Sequence, residues 1–247
     1  MGIKASNPQL KKIVVTRARI QADGLLKQLA AIGMEPILLP AIEIQPPDDE
    51  GEALRESIHI LDQYDWLIFT SANGVNAFFA ELDGLSLPIG TQIAVIGTGT
   101  NQAMKRFGID ADLVAEESVA EGLLRAFLTL EKEKKILLPR AAKARDVLPD
   151  NLRKAGWVVD EVSAYQTKIP EKFDSFDNTI IEADSIIFTS VSTFENFLKM
   201  YGLENIPPNI ISIGPITSEA IRESGRIVAI EANPHNIQGI IEGITRF

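Results

Sequence analysis

KKIVVTRARIQADGLLKQLAAIGMEPILLPAIEIQPP, residues 11–47, recurs without a gap as KKILLPRAAKARDVLPDNLRKAGWVVDEVSAYQTKIP, residues 134–170. The two stretches agree at 11 of 37 positions, where unrelated sequence agrees at about two. The matches include Lys11 with Lys134, Arg17 with Arg140, Asp23 with Asp146, Leu29 with Leu152 and Gly33 with Gly156. A second unit also repeats. DWLIFTSANGVNAFF at 65–79 returns as DSIIFTSVSTFENFL at 184–198, and IAVIGTGTNQAMKRFG at 93–108 as IISIGPITSEAIRESG at 210–225. With A for the first unit and B for the second, the chain reads A, B, A, B.

Each unit has the pattern of strand and helix in alternation. The runs IVVT, LIFT, IAVIG, KILLP, SIIFT and IISIG are apolar without period-two alternation, as in strands covered on both faces. Between them Leu25, Leu26, Leu29 and Ile32 keep helical spacing, closed by Gly33, a good helix-terminating residue. Gly108 and Gly156 close similar patterns. Such alternation implies right-handed crossovers and parallel sheets of about five strands. Proline punctuates the chain from Pro40 to Pro47 and again at Thr167 to Pro170, after each copy of A. Breaks there predict a continuous middle domain, 45–167, inserted in a discontinuous outer one, 1–44 plus 168–247.

Composition narrows the chemistry. The net charge of −10 argues against a sequence-independent hold on nucleic acid, which needs a basic surface. There is no cysteine, and the two histidines, His59 and His235, lie far apart. Disulfides, thiolate nucleophiles, iron–sulfur clusters and the common zinc sites are therefore not expected. Met1 to Asn7 lacks the apolar core of a signal peptide. Nor does any apolar run approach the eighteen or so residues that span a membrane, so the expected location is the cytoplasm. The basic run Lys132 to Lys135 is read as a solvated run, and His59 as a plain helix-surface or core histidine.

Polar residues collect where strands end and helices begin: Thr16-Arg17, Thr70-Ser71-Ala72-Asn73, Gly97-Thr98, Arg140, Ser190-Val191-Ser192 and Gly214-Pro215-Ile216-Thr217. Ligands of parallel sheets bind at these ends, where helix amides favour anions. The same Ser, Thr and Asn residues equally suit plain helix N-caps. A dinucleotide fingerprint is absent: the third glycine of the Gly97-Thr98-Gly99 stretch would be Gln102. These features describe a cleft protein for a small anionic ligand, with or without chemistry.

The motifs together resemble the uroporphyrinogen-III synthase family. The resemblance rests on Val15 to Ala18, on the blocks at 65–71 and 184–190, on Leu138-Pro139-Arg140, on Ala164-Tyr165-Gln166-Thr167, and on Ile213-Gly214-Pro215 with Thr217. It implies two similar flavodoxin-like or Rossmann-like parallel-sheet domains joined by a two-stranded linker, the first discontinuous. It further implies cyclisation of hydroxymethylbilane with inversion of ring D and loss of water, without cofactor or metal. A cytoplasmic monomer in transient contact with hydroxymethylbilane synthase fits the same pattern. Carried over residue by residue, the resemblance makes Tyr165 the candidate proton donor and Thr217 a second catalytic candidate. Substrate binding is assigned, by position at the strand ends, to Thr70, Ser71, Asn73, Thr98, Ser190, Val191, Ser192, Gly214 and Ile216, with Arg17 and Arg140 as candidate charged partners, of which the duplication allows one to be purely structural. Ile216 departs from the family's I-G-P-T-T block, which has a threonine there, so a hydroxyl role is lost at that position.

Overall fold

The computed structural model of the chain describes residues 11–115, 120–130, 134–144, 146–170 and 182–247. The chain divides into two compact units, Met1–Glu43 with Lys168–Phe247, and Ile44–Thr167.

The first unit holds strands β1 (Lys12–Val15) and β2 (Glu35–Leu38) around helix α1 (Arg19–Ala31). Far along the chain it adds β9 (Ser185–Phe188), α7 (Val191–Tyr201), β10 (Asn209–Ser212), α8 (Pro215–Glu223), β11 (Val228–Glu231) and α9 (Ile237–Arg246). The sheet order is β11-β10-β9-β1-β2, parallel throughout. One face carries Val15, Leu25, Leu29, Ile187 and Ile240; the other carries Val14, Ile186, Phe188, Phe194 and Phe197. Both faces are covered, which is why the strands read as unbroken apolar runs.

The second unit holds α2 (Glu52–His59), β4 (Trp66–Phe69), α3 (Ala72–Leu82), β5 (Gln92–Ile96), α4 (Thr98–Arg106) and β6 (Leu113–Ala115). It continues with α5 (Ala120–Phe127), β7 (Lys135–Ala141), α6 (Val147–Lys154) and β8 (Val158–Lys168). Its sheet runs β3-β8-β7-β4-β5-β6, with β3 (Glu43–Gln45) added at the edge. The pairs β8-β7, β7-β4, β4-β5 and β5-β6 are parallel. Superposing A on A and B on B makes β2-β1-β9-β10-β11 and β8-β7-β4-β5-β6 the same sheet. The two are one topology entered at different points.

A hydrogen bond marks how A and B combine. The Asp184 carboxylate accepts the backbone N–H groups of Lys11 and Lys12, at 2.8 and 2.7 Å. Its repeat partner Asp65 accepts the N–H of Lys135 at 2.8 Å. The first A is thus joined to the second B, and the first B to the second A. Hydrogen bonds to a charged group contribute about 1.5–3 kcal/mol each. The aspartate that opens both D-x-[LI]-I-F-T-S blocks is therefore structural, placed at the amino ends of the strands.

Two expectations change. The stretch Pro40 to Pro47 is not an open linker, since β3 lies within it. Lys135 is not part of a solvated run: its Nζ lies 2.9 Å from the Asp160 carboxylate and 4.6 Å from the centre of the Tyr64 ring. Lys132 falls outside the described residues. His59, for which surface and core were both open, ends α2 exposed at the surface.

Tyr64 is nearly buried and donates to Asp160 at 2.8 Å. Burial, and then that hydrogen bond, push its phenol up to about 12. The unfolded value is about 10, so the folded state holds this proton more tightly. The stabilisation is fully present below pH 10 and is lost as pH rises toward 12. Urea titrations across that window are expected to show a flatter alkaline decline for Tyr64→Phe than for the natural chain. Parallel curves would exclude Tyr64 as the source.

Candidate functional site

In the second unit the site begins at the end of β4. Ser71 caps α3, its Oγ accepting the Gly74 N–H at 3.1 Å. The same Oγ lies 3.0 Å from the Tyr165 hydroxyl. Tyr165 reaches it because β8 carries an irregularity: Arg140 pairs with Ser163, but Ala141 pairs with Tyr165, leaving Ala164 extra. A bulge re-aims the side chains that follow it. Tyr165 thereby packs with Phe69, Val75 and Val162, is only 9% exposed, and presents its hydroxyl at the start of α3. Thr70 and Asn73 flank this pair and are half-buried. A Cβ at position 74 would stand 3.0 Å from the Pro139 carbonyl oxygen, so glycine lets α3 start close against β7. Thr98 opens α4 on an exposed turn.

Arg140 ends β7 in the same unit but is already engaged. It is buried and ion-paired to Glu161 and, at 3.2 Å, to Asp146. Glu161 also holds Arg153 at 2.8 Å. A cavity of about 100 Å³ beside them is lined by Ala141, Ala144, Val162 and Ser163. Sequence reading missed Glu161; the signal available was that its place in the other copy is Leu38.

In the first unit Thr16 is fully buried and donates its hydroxyl to the Ile187 carbonyl at 2.7 Å, locking β1 to β9. Arg17 follows, half-buried, its Nε 3.2 Å from the Gln21 side-chain oxygen. Burial lowers its guanidinium pKa below the ordinary value. Ser190 caps α7 through a reciprocal capping box with Thr193 and lies 2.9 Å from the Ser192 hydroxyl. Val191 and Ser192 form the first turn.

Gly214 precedes α8, and a Cβ there would meet the His235 ring at 3.2 Å. Sequence reading missed His235, whose Nδ1 is 2.7 Å from the Ala232 carbonyl. Ile216 is 64% exposed, whereas Thr217 is buried beside Ser218 in the first turn. Both readings of the junction hydroxyls thus have physical content: Ser71 and Ser190 are helix caps, and Ser71 also holds Tyr165. Among the described residues no group of side chains is arranged to hold a metal ion. Among them, too, no helix is long and apolar enough to cross a membrane.

Two parallel sheets of one topology, with hydroxyl and amide groups gathered at their carboxyl ends, define a duplicated doubly wound α/β protein of the small-molecule-binding kind. The family model for uroporphyrinogen-III synthase HemD matches residues 23–242. The uroporphyrinogen-III synthase of Synechococcus elongatus is 31% identical over 96% of this chain and 95% of its own. Two solved structures share the fold. A triple-mutant uroporphyrinogen III synthase of Thermus thermophilus has a TM-score of 0.63 at 16% identity, covering 96% of this chain and 98% of that one. The uroporphyrinogen-III synthetase of Helicobacter pylori has a TM-score of 0.61 at 19% identity, covering 94% and 97%. The chain belongs to the uroporphyrinogen-III synthase family.

Proposed function

We propose that this chain is a cyclising lyase of tetrapyrrole biosynthesis that converts hydroxymethylbilane to uroporphyrinogen III and water. The observation that carries this reading is the family match across residues 23–242. The substrate is a flexible linear tetrapyrrole with eight carboxylates. Its hydroxyl leaves as water after protonation, and the azafulvene so formed is attacked by the substituted carbon of ring D. The spiro intermediate then reopens and closes with ring D inverted. Because closure to the symmetric isomer is spontaneous, much of the work is holding the chain in the productive fold.

The helix starts after β4, β5, β9 and β10 supply backbone amides and hydroxyls for the carboxylates. Tyr165 protonates the departing hydroxyl, with Ser71 fixing its orientation at 3.0 Å. The lability of the substrate favours direct receipt from hydroxymethylbilane synthase by a cytoplasmic monomer.

The test is to supply hydroxymethylbilane, oxidise the products and resolve type I from type III uroporphyrin. Type III is expected; type I alone, as without enzyme, would overturn the reading. Tyr165→Phe removes the proposed proton donor and is expected to lower turnover at least several-fold, with the fold retained by circular dichroism. Unchanged turnover would remove Tyr165 from the mechanism.

A further inference from the structure

The duplication allows a comparison of one residue in two settings. Arg17, two residues beyond β1, and Arg140, the penultimate residue of β7, hold equivalent places in the repeat, and each is followed six residues later by an aspartate, Asp23 or Asp146. Around Arg140 the charges are matched: Glu161 and Asp146 are the anions, Arg140 and Arg153 the cations. In the first copy Glu161 becomes Leu38 and Arg153 becomes Ala30. Asp23 is exposed on α1, and among the described residues the polar contact of the Arg17 side chain is with the neutral Gln21. A guanidinium offers five N–H donors in a planar fork; among the described residues only its Nε is engaged. Half-buried, and with no carboxylate partner among the described residues, Arg17 carries a desolvation cost that a bound anion would offset.

Its position adds a second argument. β1 lies between β2 and β9, so the strand order reverses at the β1–β9 border. Ligands of open parallel sheets bind at that reversal, beyond the carboxyl ends. Val15 pairs with Ile187, which brings Arg17 and the Ser190 turn to the same end of adjacent strands. Ser190 and Ser192 contribute hydroxyls, and α7 its first amides.

We infer that Arg17 is the residue that selects a substrate carboxylate by a two-point contact, and that Arg140 is its internally neutralised copy. This rests on the synthase reading above. Strand-end amides occur in both copies alike; Arg17 makes the two units unequal, so the carboxylates on one part of the tetrapyrrole gain a charged partner.

The experiment measures KM and kcat for hydroxymethylbilane, with thermal midpoints recorded alongside. Arg17→Gln is expected to raise KM at least tenfold with a smaller change in kcat, and Arg17→Lys to recover part of the loss. Leu38→Glu installs the counterpart of Glu161 and is expected to raise KM similarly although Arg17 is intact. Leu38→Gln, which removes the same apolar side chain without adding charge, is expected to keep KM near that of the natural chain. Arg17→Gln within twofold of the natural KM, or Leu38→Glu indistinguishable from Leu38→Gln, overturns the inference. The Leu38 comparison decides it if Arg17→Gln does not fold. A natural chain yielding no type III uroporphyrin overturns the synthase reading instead, so the two failures are separable.

Discussion

Gly239→Ala is expected to cost about 3 kcal/mol or more in folding stability, at the severe end for overpacking a closed site. Gly239 lies in the first turn of α9, buried, and its N–H donates to the capping Asn236 side chain at 3.0 Å. A Cβ there would collide with the Pro234 carbonyl oxygen and stand 2.9 Å from the Asn233 carbonyl carbon. Both obstacles are backbone, so no rotamer change relieves them. One turn on, Gly243 lets Ile230 of β11 approach α9, where a Cβ would lie 2.6 Å from its Cγ2. That obstacle is a side-chain methyl, so Gly243→Ala is expected to be the milder change. Urea denaturation of the two variants checks the order; a Gly239→Ala loss under 1 kcal/mol would show that the loop before α9 yields.

Glu161→Ala is expected to destabilise the second unit by about 3 kcal/mol, because it leaves a buried guanidinium short of its main counter-charge. Arg140 is only 7% exposed, while Asp146, also paired to it, stands largely in water, with a side chain 71% exposed. Replacing both members should differ. Arg140→Met with Glu161→Leu removes the buried charge together with its partner and is expected to regain most of the loss. The double-mutant cycle isolates the pairing from the cost of stranding one partner. Additive losses in that cycle would mean that the pair is not coupled.

Much of the architecture was legible because the central strands are covered on both faces. IVVT, LIFT, KILLP and SIIFT carry polar residues only at their ends, and the glycines at 33, 108 and 156 end their helices with positive φ. β8 was not legible in the same way. Its exposed and buried residues mix, as in VVDEVSAYQTK, because Asp160 and Glu161 serve Tyr64, Lys135 and Arg140 rather than a core face. β6 has three residues and carries too short a signal. At the site, the polar strand ends were visible as hydroxyls following apolar runs. The fate of Arg140 was not, since Glu161 is 21 residues away and meets it only through the parallel register of β7 and β8. Likewise the Tyr165–Ser71 contact depends on one extra residue at Ala164, which sequence periodicity does not reveal.

The exchange of copies between the units also sets an order on synthesis. Asp65 and Lys135 are 70 residues apart, and every strand of the second unit from β4 to β8 has been made once the ribosome passes Lys168. Asp184 and Lys11 are 173 residues apart. β1 and β2 therefore leave the ribosome early with one edge lacking its neighbour β9, and wait while an entire sheet is assembled between them and it. Distant pairings of this kind are slow and leave strand edges open to wrong partners. The insertion that gives the two units one topology makes β1 and β2 wait longer for their neighbour than the strands of the second unit do, so their open edge is the longer exposed to wrong pairing in the nascent chain.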